Sequence, residues 1–402
     1  MQEITRNRPS LADETLIWMG ALSIAPILFI YDLIQLDGIH LTKSHLILGR
    51  DFLNVWTGGQ IALSGKTSIL YDYFGYMSWQ AAIFGHLDPY NYSYPPHSLF
   101  LAVPFGSLPY LTALALWTVA GASFFFWTAR PYMPDNINAF CAIVTPAAVV
   151  NIWAGHYGFL IGGLWLLFFS LIKSHQKLAG VIAGFLTIKP HLGIFIALTM
   201  ICRRKYKSVL IAFVTTTFLI AASGLFFGFK LWPQWLFETS ALQGKIMTAP
   251  GEKFYYLMMP SAFIALRNAP DQIALVVQAG FGLAAFGLVW KARRAIPEDL
   301  AFIAASATAI VLPYIFNYDL TVASLGFLVC LYRHWAILAR WEKAALWLGF
   351  AVPLLVMAFG YVGPIGLLIG LIVQVRHARS SETISLGKVR LSSRRWVIGA
   401  IG

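Results

Sequence analysis

Apolar stretches long enough to cross a bilayer recur along most of this chain, and they constrain its fold more than any other feature. The clearest lie at residues 16–34, 111–127, 159–172, 209–227 and 273–290. A helix needs about 17–25 residues to cross ~30 Å of hydrocarbon. In lipid every backbone N–H and C=O must find an internal partner, so such runs must be helical. Charged residues make up only 11% of the chain, against about 25% in an ordinary soluble domain. The sequence therefore predicts an all-α polytopic membrane protein.

The net charge of +12 raises nucleic acid as a partner, but its placement excludes that reading. The cations sit in short clusters between apolar runs: Arg203, Arg204, Lys205 and Lys207; Lys291, Arg293 and Arg294; then Arg376, Arg379, Lys388, Arg390, Arg394 and Arg395. This is the positive-inside pattern of cytoplasmic loops. The first apolar run follows Arg6 and Arg8 but also Asp13 and Glu14, and no small-residue cleavage site follows it. It reads as a retained span rather than a cleaved signal.

Placing the basic clusters inside fixes a topology of about twelve spans with both ends cytoplasmic. The spans are expected at 14–36, 109–129, 137–151, 158–173, 178–188, 190–201, 207–228, 271–290, 299–313, 319–332, 344–360 and 363–375. Residues 178–201 would suffice for one crossing, but one crossing would put the Arg203 cluster outside. The break at Lys189-Pro190 predicts a hairpin of two shorter helices instead, because proline removes a donor and clashes with the preceding turn. Residues 1–375 then form one integral-membrane unit. A first outside loop covers 37–108 and a second 229–268, the latter with an interfacial helix at 257–268. Residues 376–402 form a basic cytoplasmic tail.

Four polar clusters fall on the outer side in this topology. The first is Arg50-Asp51-Phe52-Leu53-Asn54, with Trp56 and Gly58 beyond it, and Tyr90, Tyr92 and Tyr94 follow in the same loop. A helix over 50–63 would set Asp51, Asn54 and Gly58 on one face. Phe52, Val55, Trp56 and Ile61 would lie opposite, as in an amphipathic helix on the membrane surface. Asp51 there suits a general base for an acceptor hydroxyl; it also reads as a helix-capping residue. The second cluster holds Lys189 and His191. A lysine at a helix break suits a phosphate, or snorkels to the interface. The third is Asn317-Tyr318-Asp319, where an acid between apolar spans is a candidate site residue that could pair with Lys189 or bind sugar hydroxyls. The fourth is Asn151 with His156 and Tyr157. Cys141, Cys202 and Cys330 show no metal spacing. There is no Asp-x-Asp pair, Walker lysine motif or Gly-x-Ser-x-Gly, so nucleotide-driven chemistry is not expected.

The ordered set of motifs resembles glycosyltransferase family 87, of the integral-membrane GT-C class. The resemblance rests on Arg50-Asp51-Phe52 with Trp56, Gly58 and Gly65; Tyr94-Pro95-Pro96 with Pro104 and Trp117; Asn151, Gly155 and Lys189-Pro190; Ser261-Ala262-Phe263 with Arg267; and Pro313-Tyr314 with Tyr318-Asp319. It implies an inverting alpha-mannosyltransferase-like enzyme that uses a polyprenyl-phosphate sugar, with Asp51 as general base and no obligatory metal or other cofactor. Lys189, Arg50 and Arg267 are the expected donor-phosphate ligands. Asn54, Trp56, Tyr94, His156, His191 and Asp319 are the expected substrate contacts, and the acceptor is a lipid or glycan. The chain departs from the family pattern at Gly155-His156-Tyr157, at Lys189-Pro190-His191 and at Asn317-Tyr318-Asp319, which leaves the sugar open between mannose and another hexose or a pentose. The expected location is a bacterial inner membrane, with the site on the periplasmic or extracellular face. A flippase or small-solute transporter is the rival class, and a non-catalytic assembly subunit a third.

Overall fold

The computed structural model describes residues 25–251 and 253–379, with Thr15, Trp18 and Leu22. The start of the first expected span and the basic tail from residue 380 lie outside the described residues. Helix α1 (Ala25–Ile34) leads into a small antiparallel sheet, β1 (Leu36–Asp37), β2 (His40–Leu41) and β3 (Leu46–Ile47). A tight turn with positive φ at Gly49 and Arg50 then starts α2 (Phe52–Leu63), followed by α3 (Tyr73–Phe84), α4 (Leu99–Gly106) and α5 (Tyr110–Ala129).

Helix α2 is not the surface helix that the sequence predicts. Nearly every residue from Phe52 to Gly59 is buried. Its two glycines explain why. A Cβ on Gly59 would lie 2.3 Å from the Ala102 carbonyl oxygen, so α4 crosses α2 backbone against backbone; one on Gly58 would lie 2.5 Å from the Tyr92 ring. The polar members of α2 find partners inside: Tyr76 donates to Asn54 at 2.9 Å, and the Trp56 indole donates to the Leu108 carbonyl. A polar face that is satisfied internally can be buried.

The expected span at 137–151 is broken. A 3-10 segment, Ala139–Val144, gives way at Thr145 to α6 (Pro146–Ala154). Pro146 supplies no N–H and forces the preceding residue out of helical geometry. Thr145 is accordingly extended, and its hydroxyl accepts from the Ala148 N–H as an N-cap. Helix α7 (Gly158–Leu171) follows the left-handed Gly155.

Helix α8 (Gln176–Phe185) ends in a 3-10 turn, and the chain breaks at Lys189 (φ −128, ψ 77) before α9 (Ile194–Cys202). Helix α10 (Tyr206–Phe227) runs beside α8 in the same direction: Ser208 donates to the Gln176 carbonyl, and Gly180 and Gly184 face Ile211 and Thr215. Helix α9 therefore returns to the level where α8 began, and Lys189 is the tip of a hairpin.

Short helices α11 (Leu231–Gln234) and α12 (Ser240–Thr248) precede a 3-10 turn, Phe254–Met258, and the single-turn α13 (Ala262–Ala265). The interfacial helix expected at 257–268 is thus interrupted. Pro260 ends the first turn, and Ser261 caps the second by accepting from the Ile264 N–H. The remaining elements are α14 (Asp271–Lys291), α15 (Pro297–Val311), α16 (Thr321–His334), α17 (Arg340–Leu355) and α18 (Val362–Arg376).

Among the described residues three helices are long and apolar enough to cross a membrane: Tyr110–Tyr132, Tyr206–Phe227 and Asp271–Lys291. Large apolar side chains stand exposed along them, including Val119, Phe213, Phe218, Val276 and Leu283, as expected of lipid-facing surfaces in a membrane protein. The remaining helices are shorter or broken, so helix length alone does not yield twelve spans. The basic loops gather at one end of the bundle. Arg333 and Arg379 both pair with Asp299 at 2.8 Å, Arg203 donates to the Ala295 carbonyl, and Glu342 pairs with His377. The polar site lies at the other end.

Candidate active site

The turn before α2, the loop after α6, the tip of the α8–α9 hairpin and the turn before α16 converge on one cavity of about 750 Å³. Arg50, Asp51, Asn54, Tyr94, His156, Lys189, His191, Tyr318 and Asp319 all line it. Members of all four polar clusters singled out above are thus brought together from distant parts of the chain.

The Asp51 backbone N–H donates to the Ala154 carbonyl at 3.0 Å, which ties the acid to the end of α6. Gly155 makes this approach possible. Its φ is +61°, and a Cβ there would lie 2.5 Å from the Gly49 carbonyl oxygen and 2.7 Å from Phe52 Cβ. Burial pushes the Asp51 carboxyl up to about 6, against the pull of Lys189, of a hydrogen bond from the Tyr318 hydroxyl and of Arg50; Asp319 pushes the same way as burial.

Opposite Asp51, the Lys189 ammonium donates to Asp319 Oδ1 at 2.6 Å, with both side chains almost fully buried. His156 closes the group. Its Nε2 is 2.7 Å from the Tyr94 hydroxyl, its ring stacks on Tyr318 at 3.9 Å, and its Nδ1 is 3.9 Å from Asp319 Oδ1. Burial, with Lys189 and His191 beside it, holds the His156 imidazole well below its usual range. It is therefore neutral at pH 7 and serves as a hydrogen-bonding group rather than a cation.

Three expected contacts are disposed otherwise. Trp56 is buried between Phe84 and Tyr110 and does not reach the cavity. Arg267 lies 4.1 Å over the Tyr256 ring, donates to the Gly251 carbonyl and does not line the cavity. Arg50 lines the cavity, but its guanidinium pairs with Asp32 at 2.5 Å and lies 3.9 Å over the Trp153 ring. Tyr92 also belongs to the core, between Tyr71, Tyr76 and Tyr94. Asp32 escaped the sequence reading. Its signal was available, as a lone acid inside an apolar run.

The sequence profile of glycosyltransferase family 87 matches residues 92–316, more than half of the 402-residue chain. The chain belongs to glycosyltransferase family 87. The matched part of this family 87 protein contains Tyr94, His156, Lys189 and His191. Asp51 and Asp319 lie on either side of it and join the site through the fold. No curated protein and no solved structure matches the chain. Among the described residues no group of three or more His, Cys, Asp or Glu side chains is arranged to hold a metal ion.

Proposed function

We propose that this membrane glycosyltransferase moves a sugar from a polyprenyl-phosphate donor to a hydroxyl of a lipid or glycan acceptor, with inversion and with Asp51 as general base. The observation that carries this reading is Asp51 itself. It is a carboxyl with its affinity for a proton raised to about 6, sharing one cavity with a buried lysine. A base of that strength is ionised at pH 7 yet takes a proton more readily than an ordinary aspartate.

In the proposed reaction the acceptor hydroxyl sits against Asp51 and attacks the anomeric carbon from the face opposite the phosphate. The new C–O bond forms as the bond to the phosphate oxygen breaks. The hydroxyl proton goes to Asp51, and polyprenyl phosphate leaves with the bonding electrons. Lys189 stabilises the charge that grows on the departing phosphate, exchanging part of its bond to Asp319 for the donor. Asp319, His156 and Tyr94 hold sugar hydroxyls, and His191 flanks the phosphate. Asn54 lies beside the acceptor. The reaction needs no metal or other cofactor.

An apolar crevice of about 210 Å³, lined by Leu101, Phe105, Trp117, Phe124 and Phe159, meets this site at His156. It suits the first units of the donor's isoprenoid chain entering sideways from lipid. With the basic end of the bundle cytoplasmic, the site faces the periplasm or exterior, and the short and broken helices complete about twelve passes of a GT-C bundle. Residues 1–375 are then one catalytic unit and the tail is an inner-surface extension. Incubating the purified protein with radiolabelled polyprenyl-phosphate mannose, or its glucose and pentose counterparts, and membrane lipid extract tests the reading. A labelled glycosidic product supports it. Transbilayer movement of labelled lipid with no such product supports the flippase reading.

A further inference from the structure

Asp32 is a buried acid on α1, whose other faces carry exposed Ile27, Ile30, Leu33 and Ile34. A charged group on an apolar span is costly and is kept where it does something. Its partner is Arg50, also buried, at 2.5 Å. Arg50 has φ +42° and follows Gly49 at φ +83°. Such a conformation is uncommon and costly for a side chain other than glycine. Here the guanidinium is held between Asp32 and the Trp153 ring, 3.9 Å away. The next residue is Asp51, whose backbone N–H is bound to Ala154, the neighbour of Trp153.

We infer that Asp32 is a positioning residue for Asp51: by clamping Arg50 onto Trp153 it holds the strained turn that aims the Asp51 carboxyl into the cavity, and it keeps the Arg50 charge from turning onto that carboxyl. The inference rests on the reading of Asp51 as the reacting acid. It assigns Arg50 to the turn rather than to the donor phosphate.

The charge balance at Asp51 gives a test that needs no substrate. Lys189 faces Asp51 from the hairpin tip, and Tyr318 and Asp319 face it from the turn before α16. Tyr90, Tyr94 and Tyr314 complete the surround, and burial holds each phenol neutral at any pH of interest. Without the Asp32 carboxylate, Arg50 is left to act on Asp51, whose carboxyl already feels its charge. An opposite charge brought that close lowers a carboxyl's pKa by about 1–3 units.

The experiment follows labelling of Asp51 by dicyclohexylcarbodiimide, which takes the proton of the protonated acid on nitrogen and the carboxylate oxygen on its central carbon, and rearranges to a stable N-acylurea. It is read by peptide mass spectrometry across pH on the full-length protein in detergent. The wild-type midpoint is expected near 6. Asp32→Asn is expected to move it down by about one pH unit. Asp32→Glu restores it. Asp32→Asn with Arg50→Gln, a neutral pair of similar shape, moves it above the wild-type value. An unchanged midpoint in Asp32→Asn overturns the inference. If that variant does not fold, an unchanged midpoint in the double variant overturns it. Sugar transfer surviving in Asp51→Asn would end the base reading and leave the labelling result standing, so the two failures are distinct.

Discussion

Lys189 and Asp319 stand 130 residues apart and form an ion pair of 2.6 Å between almost fully buried side chains. The pair joins the hairpin tip to the turn before α16, so it is at once a structural tie and the charged floor of the site. Removing one member of a buried pair leaves an uncompensated charge, which costs about 3–5 kcal/mol, whereas replacing both with apolar groups is close to neutral. Asp319→Leu alone is expected to destabilise the protein by that amount, and Lys189→Met with Asp319→Leu to recover most of it, as read by thermal unfolding in detergent. Both variants lose transfer.

Lys189→Ala should weaken use of the donor by about 1.5–3 kcal/mol, the value of a hydrogen bond to a charged group. The loss is expected in kcat/KM for the polyprenyl-phosphate sugar, with little change in KM for the acceptor. Unchanged donor kinetics would remove Lys189 from the phosphate.

Asp51 acts as a base only when ionised. With its carboxyl raised to about 6, kcat/KM should fall about tenfold per pH unit below 6 and level off above it. Stability carries the opposite sign. A carboxyl raised in the folded state favours folding fully below its unfolded value, and this contribution is lost as pH rises through about 6. Asp51→Asn should therefore raise Tm at pH 8 and leave it nearly unchanged at pH 4.

Gly155→Ala places a Cβ against the Gly49 carbonyl and Phe52 at φ +61°. Strain of that kind costs on the order of 1–3 kcal/mol. Transfer should fall further than stability does, because the displaced turn carries Asp51. Comparing Tm with kcat separates the two effects.

The convergence of distant segments was legible in part. The basic clusters sorted the polar motifs to one side, and the break at Lys189-Pro190 marked the hairpin tip, because both signals are local. The fate of α2 was not legible. Phe52–Leu63 has the pattern of a surface helix, and only the approach of Gly106 to Gly59 shows that another helix lies on it. Arg50 and Arg267 read equally well as ligands of the donor phosphate. What separates their roles is Asp32 and Trp153 in one case and Tyr256 in the other, contacts across the chain that spacing does not encode. The Lys189–Asp319 pair was one of several open readings for the same reason.

Asp51→Asn tests the central claim most directly. The measurement is transfer of radiolabel from a polyprenyl-phosphate sugar to membrane lipid extract, by wild type and variant purified side by side and matched for elution volume. The wild type should form glycosidic product, and the variant should form none above background while still binding the donor. Product formed by Asp51→Asn at a rate near wild type would contradict the assignment of Asp51 as the base.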